Sequence, residues 1–243
     1  MCTVTHIPFG DDILFTTSRD VHISRSAALP PILSDLNGGR IMYPVDPEGG
    51  GTWCAVHESG CAVILLNGAF RPHLPNPPYR MSRGRIPLIL APAPCPTTAF
   101  LALDLAGVEP FTCIIREERS LTEVRWDGNE KHIHLLEPDK PYIWSSCTLY
   151  DPVVSALRQC WFEDWIHGGE PADPFSIRAF HLNAGSGDPA TSIRMSRPDG
   201  NATVSITALC MGRQGCGMSY LDLQNPDAGW TDHRIDISFP SHV

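Results

Sequence analysis

The second residue of the chain is a cysteine, and this position gives it two reactive groups. Removal of Met1, which is usual before a small second residue, would leave Cys2 with a thiol and an unblocked α-amine. Such an amine titrates near pH ~7.7–8.0, so part of it is unprotonated at neutral pH and can take the proton of its own thiol. We therefore predict that Cys2 is a nucleophile. The simpler interpretation is a Met-Cys start that arose by chance.

Five other polar residues are candidates for chemistry, and they are singled out by the resemblance to a known family that is given below. Arg19 and Asp20 directly follow one strand-like run, and Asn67 ends another. Ser146 and Arg194 lie on either side of the clearest predicted helix. Each also has a purely structural interpretation: the first two as an ion pair at a strand edge, Asn67 as a turn residue before a glycine, and Arg194 as a solvated strand residue.

Short strand-like runs must position these residues. They are rich in Thr, Val, Ile and Phe and are separated by turn residues, which is typical of β-hairpins. The sequence lacks alternating βα units, so a doubly wound nucleotide-binding fold is excluded and an α+β layered domain is indicated. The predicted strands cover 2–7, 12–18, 52–57, 61–67, 111–116, 121–126, 133–136, 192–196, 203–209, 218–223 and 234–239.

The clearest predicted helix spans 151–167, with Asp151 as its N-cap, Pro152 in its first turn and two glycines after it. One or two helical turns are predicted at 97–105. Residues 71–96 are rich in proline, so we expect a surface excursion with at most a broken helix at 86–90. The predicted apolar face of the long helix consists of Val154, Leu157, Trp161 and Trp165.

Composition limits the function classes. The chain has 243 residues, 42% of them hydrophobic, which supports one sizeable domain over residues 1–243. Its formal net charge of −9 argues against nucleic-acid and anionic-membrane partners. No apolar run approaches the length of a membrane span, and no signal-peptide pattern is present.

Cysteine usage points to a reducing compartment, and histidine usage gives no indication of a metal centre in the protein. The nine cysteines include no C-x-x-C spacing, and several lie in apolar runs as small hydrophobic residues do. A cytoplasmic location is therefore expected. Among the ten histidines only His132 and His134 are closely spaced, and we interpret them as hairpin surface residues, with no bound metal and no required cofactor.

An ordered set of short motifs resembles the NRDE family, also called the transport and Golgi organisation 2 family. The resemblance spans most of the chain. It implies an N-terminal-nucleophile (Ntn) hydrolase fold, a four-layer αββα sandwich with mostly antiparallel sheets, distantly similar to choloylglycine hydrolases and penicillin V acylases. The motifs are Met1 to Thr5, Ser18-Arg19-Asp20, Gly50 to Trp53, Leu65 to Gly68, Ser82-Arg83-Gly84 and Trp144 to Asp151.

The resemblance implies a role for each candidate. Asp20 would hold the N-terminal amine, and Arg19 would favour the thiolate of Cys2. Asn67 would donate to the oxyanion, since one such donor contributes several kcal/mol to an acyl transfer. Ser146 would be the second oxyanion donor. Arg194 matches a late active-site arginine, with Arg197 as the competing candidate.

The sequence departs from the family patterns at some of these candidate residues and at their neighbours. Ser18 and Val21 replace the first and last residues of the Asn-Arg-Asp-Glu motif. The arginine of the choloylglycine hydrolase pattern falls on Thr17, so Arg19 would have to replace it from the same strand face. Ser146 stands in an asparagine position, and a hydroxyl has a shorter reach than an amide.

Three functions therefore stay open at this stage. The first is an N-terminal-cysteine hydrolase or acyltransferase acting on an amide or thioester. The second is a non-catalytic carrier of haem or of an acyl lipid such as acyl-CoA, for which His6 and Cys2 are the candidate axial ligands. The third is an interaction protein with a degenerate site. A small acyl or haem-like molecule is the expected partner of the first two.

Overall fold

The computed structural model describes residues 3–169 and 171–238. Cys2, the predicted nucleophile, lies outside these residues. The described residues form two antiparallel sheets stacked face to face. We call the sheet that contains the first strand the front sheet and the other the back sheet.

The front sheet has six strands, and the predicted hairpin of its first two is confirmed. Gly10 makes the turn between them with a φ of 60°, a conformation that glycine adopts without strain. In spatial order the strands are β10 (Tyr142–Ser145), β1 (Thr3–Phe9), β2 (Asp12–His22), β11 (Asn201–Gly212), β12 (Gly215–Asp222) and β13 (Trp230–Asp236).

The back sheet has seven strands in chain order, each paired with the next. Most of these pairings join strands that are close in sequence, which explains why local patterns predicted five of the seven. The strands are β3 (Leu29–Leu36), β4 (Gly39–Val45), β5 (Cys54–His57), β6 (Ala62–Asn67), β7 (Phe111–Glu117), β8 (Ser120–Trp126) and β9 (Lys131–Leu136).

Helices cover the outer faces of both sheets. α1 (Ile86–Leu90) and α2 (Pro96–Ala102) pack on the back sheet, while α3 (Pro152–His167) and α4 (Pro174–Asn183) pack on the front sheet. Between the sheets lies a separate apolar core that includes Val4. The expected four-layer αββα sandwich is confirmed.

Several local predictions were wrong. Residues 192–196 form no strand, and Ser196 makes only an isolated bridge with Ala202. Within the excursion at 71–96 the short helix expected at 86–90 is present as α1, but its Ile86 and Leu90 are fully buried against the back sheet, so this part is not surface. Strands β3, β4 and β10 and helix α4 were not predicted.

Helix α3 begins after its predicted cap, since the Asp151 carboxylate accepts a hydrogen bond from the backbone N–H of Val154. Its buried face differs from the prediction. Val154, Arg158 and Phe162 are buried, whereas Leu157 is 40% exposed. A charged residue therefore occupies the centre of the face that packs on the front sheet. In the described ranges, no helix has the length and apolar character needed to cross a membrane.

Candidate active site

A cavity of about 350 Å³ lies at the end of the sandwich where β2 and β6 end and β11 begins. Asp20 comes from the front sheet and Asn67 from the back sheet, and both line this cavity. The loop after β10 closes one wall with Thr148 and Leu149. The structure thus brings together two of the predicted site residues that are far apart in sequence and belong to different sheets.

Asp20 is held by two buried hydroxyls. Tyr150 donates its O–H to Oδ2 of Asp20 at 2.7 Å, and Thr203 donates its O–H to Oδ1 at 2.5 Å. The carboxyl group is nearly inaccessible, with 3% of the residue exposed. Hydrogen bonds from hydroxyls fix the orientation of a carboxylate and offset the cost of removing it from water.

Two guanidinium groups contact the ring of Tyr150. The Cζ atom of Arg158 is 3.6 Å from the ring centroid, and that of Arg197 is 5.1 Å away. Arg197 also donates to the carbonyl of Leu149 at 3.0 Å. Both cations favour the position of the ring through cation–π attraction. The hydroxyl that binds Asp20 is therefore rigidly placed.

Arg158 joins this network to the start of the chain. It is fully buried, and its Nη1 donates to the hydroxyl of Thr3 at 2.6 Å. Its other donors reach the carbonyls of Thr191 and Ser192. All these acceptors are neutral, so the guanidinium is stabilised by hydrogen bonds and by the Tyr150 ring. Arg158 is a site residue that the sequence prediction missed.

Thr3 is the first described residue, and it is fully buried between two neighbouring strands. It pairs with Ser18 of β2 on one side and with Ser145 of β10 on the other. Because Asp20 is two residues beyond Ser18 on β2, Asp20 belongs to the strand segment next to the start of β1. The backbone that precedes Thr3 in sequence is that of Cys2.

Asn67 and Ser146 are joined by a hydrogen bond, with the Ser146 hydroxyl donating to the backbone carbonyl of Asn67 at 2.6 Å. The hydroxyl of Ser146 is also 3.0 Å from that of Thr148. A serine hydroxyl has one proton, and here it is used to position Asn67. The role of Ser146 as a second oxyanion donor stays a prediction that requires this proton to move.

Arg19 lies on the opposite face of β2 from Asp20, in the space between the two sheets. Its guanidinium is 3.4 Å from a carboxylate oxygen of Asp46 and packs over the ring of Trp53 at 4.9 Å. Burial lowers the pKa of Arg19, against the opposing effect of Asp46. Within the described residues its buried Nη1 has no hydrogen-bond partner.

Arg194 is exposed, whereas Arg197, the competing candidate, contacts Tyr150 and the loop after β10. The geometry therefore favours Arg197 as the arginine that supports the site from this segment. The carbonyls of Thr191 and Ser192 accept hydrogen bonds from Arg158, and residues 192–194 form bends where the alternating sequence predicted a strand.

A buried histidine of α4 contacts β1 and β2 on the outer face of the front sheet. His181 of α4 is fully buried, and its two ring nitrogens are each 2.9 Å from a hydroxyl, those of Thr5 and Ser18. Burial, with a smaller effect of Arg158, lowers the pKa of His181 to about 3, so the ring is neutral. The sequence carried no signal for this residue, because α4 itself was not predicted.

The described residues contain no cluster of three or more His, Cys, Asp or Glu side chains that could hold a metal ion. His6, the candidate haem ligand, is fully buried with its Nδ1 3.1 Å from the carbonyl of Lys140. Burial lowers the pKa of His6 to about 4. A haem iron needs a ligand that faces a cavity, and His6 lines none of the described cavities of this part of the chain.

The fold is shared with solved hydrolases. The penicillin V acylase from Agrobacterium tumefaciens superposes with a TM-score of 0.56 at 9% identity, over 97% of this chain and 86% of that one. A mutant of the conjugated bile acid hydrolase from Clostridium perfringens gives 0.58 at 10% identity, over 97% and 92%. The Caenorhabditis elegans orthologue of N-acylethanolamine-hydrolyzing acid amidase gives 0.55 at 13% identity, over 86% and 92%.

These similarities show that the chain has the Ntn-hydrolase fold. No family model matches the sequence, and no curated protein matches it significantly. The resemblance to the NRDE family therefore stays a prediction from short motifs.

Proposed function

We propose that the protein is an N-terminal-cysteine hydrolase or acyltransferase that acts on an amide or thioester. The observation that carries this proposal is the meeting of Asp20 and Asn67 at one cavity, from different sheets, beside the strand that begins at Thr3. The similarity to solved amide hydrolases supports the same reaction class at the level of the fold.

In the proposed reaction Met1 is removed, and the α-amine of Cys2 takes the proton of its thiol. The thiolate attacks the acyl carbon, and the Asn67 amide donates a hydrogen bond to the oxygen that becomes negative. The intermediate collapses when the protonated amine gives its proton to the leaving group. Water, or a second acceptor, then attacks the acyl-thioester and regenerates the thiol, with the α-amine again moving the proton.

Asp20 and Arg19 have complementary roles in this proposal. The buried Asp20 carboxylate, oriented by Tyr150 and Thr203, attracts the Cys2 amine and holds it in position. Arg19 supplies positive charge from the face between the sheets. Its buried Nη1 lacks a hydrogen-bond partner among the described residues, and a thiolate would satisfy that donor.

The cavity at Asp20 and Asn67 does not favour the other two functions. A haem carrier would need His6 to face a cavity, and its ring is enclosed. A carrier of long acyl chains would need apolar walls, but polar side chains predominate around the cavity at Asp20 and Asn67. A degenerate site does not require a buried carboxylate that two hydroxyls hold in place.

The proposal is tested by the reactivity of Cys2 toward iodoacetamide, measured by peptide mass spectrometry. Cys95 and Cys160 are exposed and serve as internal standards in the same molecule. A thiol with a pKa near ~7 is more ionised at pH 6 than an ordinary thiol, although its thiolate is intrinsically less reactive; together these effects predict labelling about 6-fold faster.

Faster labelling of the Cys2 peptide at pH 6, lost in Asp20→Asn, is the expected result. A Cys2 peptide that reacts no faster than those of Cys95 and Cys160, or that retains Met1, would contradict the proposal. The exposed Asp188→Asn is the matched control, since it changes a carboxylate outside this cavity.

A further inference from the structure

We infer that the cavity takes a short, uncharged acyl group that carries a hydroxyl or an amide, in contrast to a long aliphatic chain. This inference rests on the proposed function for the step that follows binding, but the binding preference itself can be measured without catalysis. Three features of the cavity support it: the chemistry of its walls, its charge balance and its size.

The walls are mostly polar. Among the described residues that line the cavity, two are aliphatic, Val21 and Leu149. Amides and hydroxyls face the same space, including those of Asn67 and Thr148. Most ligand pockets are lined chiefly by apolar side chains, which is what an aliphatic ligand requires. A methylene that gains no apolar wall forgoes the transfer free energy that favours its binding.

The charge balance disfavours an anionic ligand. Arg25 is the arginine that lines the cavity in the described part of the chain, and carboxylates already surround it. Its Nη2 is 2.8 Å from Asp46, and its Nη1 is 3.3 Å from Glu48. Asp20 is assigned to the amine of Cys2 in the proposed function, so it offers no site for an anion. A carboxylate on the substrate would therefore have to compete with Asp46 and Glu48 for Arg25.

The size of the cavity sets an upper limit on the ligand. Its volume of about 350 Å³ is at the small end of ligand sites. With a water molecule occupying roughly 30 Å³ in the liquid, the space corresponds to about a dozen waters. A hydroxylated two- or three-carbon acyl group with its amide fits this volume with room for waters, whereas a ten-carbon chain would need nearly all of it.

The test compares four acyl groups, with the same amine used throughout each assay: glycoloyl, propionyl, succinyl and decanoyl. Glycoloyl and propionyl have nearly the same shape and differ by a hydroxyl in place of a methyl group. Binding of the four N-methylamides to Cys2→Ser is measured by ligand-observed NMR, a measurement that does not depend on turnover. Hydrolysis of the corresponding coumarin amides is measured with the unaltered chain.

The inference predicts that glycoloyl is preferred over propionyl by at least about tenfold, and that decanoyl and succinyl are weaker still. Thr148→Val removes a hydroxyl from the wall and should bring the glycoloyl to propionyl ratio close to 1. Thr98→Val, on the exposed side of α2, is the matched control and should leave the ratio unchanged.

The outcomes separate the inference from the proposed function. Preferred binding of glycoloyl to Cys2→Ser without any hydrolysis would uphold the inference and contradict the function. Hydrolysis with decanoyl equal to or better than glycoloyl would uphold the function and overturn the inference. Binding of none of the four amides would also overturn the inference.

Discussion

Replacing Tyr150 by Phe isolates the hydrogen bond that orients Asp20. The variant keeps the aromatic ring that Arg158 and Arg197 contact and removes only the hydroxyl that donates to Asp20 at 2.7 Å. A hydrogen bond to a charged group contributes ~1.5–3 kcal/mol, and both partners here are buried. We expect the free energy of unfolding to fall by about 2 kcal/mol, which for a chain of this length lowers Tm by about 4–8 °C.

The assay is urea denaturation of the unaltered chain, Tyr150→Phe, Asp20→Asn and the double variant. Because the two residues interact directly, the double-mutant cycle should give a coupling energy of at least ~1 kcal/mol. Tyr142→Phe is the control: its hydroxyl accepts a hydrogen bond from the backbone of Glu137 at the surface, and it should cost less than about 0.5 kcal/mol. A coupling energy near zero would refute the view that Tyr150 holds the carboxylate of Asp20.

Three further predictions concern stability and catalysis. Arg158→Met leaves the carbonyls of Thr191 and Ser192 without their buried donor and should lower the free energy of unfolding by ~3–5 kcal/mol. The exposed Arg119→Met should lower it by less than ~0.5 kcal/mol in the same denaturation series. The pKa of His181 is about 6.5 in the unfolded chain and about 3 in the folded one, so the free energy of unfolding falls as the pH drops below 6.5, by about 2 kcal/mol between pH 7.5 and 5. His181→Gln should flatten this part of the pH profile of stability. An unchanged profile would count against the buried neutral ring. Asn67→Ala should reduce kcat for a cleaved amide by about 10²–10³, whereas Asn76→Ala in the exposed loop should not change it.

Local sequence patterns predicted those parts of the fold whose structure is decided locally. Alternating residues and a turn glycine predicted the hairpin of β1 and β2, and Asp151 followed by Pro152 predicted the start of α3. β3 was missed because Pro30 and Pro31 interrupt its pattern, yet an edge strand tolerates proline. α4 was missed although Asp173 and Pro174 form a capping signal, with Ser176 completing a capping box.

The site was harder to predict because its contacts are long-range. Asp20 and Asn67 were found through short motifs, and their meeting at one cavity depends on how the two sheets stack. Arg158 interrupts an apolar helix face, so the helical spacing of apolar residues predicted Trp161 and Trp165 as part of the buried face and passed over Arg158. Its burial is explained only by the acceptors of Thr3, Thr191 and Ser192, which lie more than 30 residues away in either direction.

The central claim is that Cys2 forms a covalent bond with an acyl group at the cavity of Asp20 and Asn67. Rapid-quench intact-mass measurement during turnover of a glycoloyl amide or thioester tests it most directly. We expect a chain that lacks Met1 and carries one acyl group, mapped to the Cys2 peptide and absent in Cys2→Ala. A chain that retains Met1, or an acyl group mapped to another cysteine, would contradict the account.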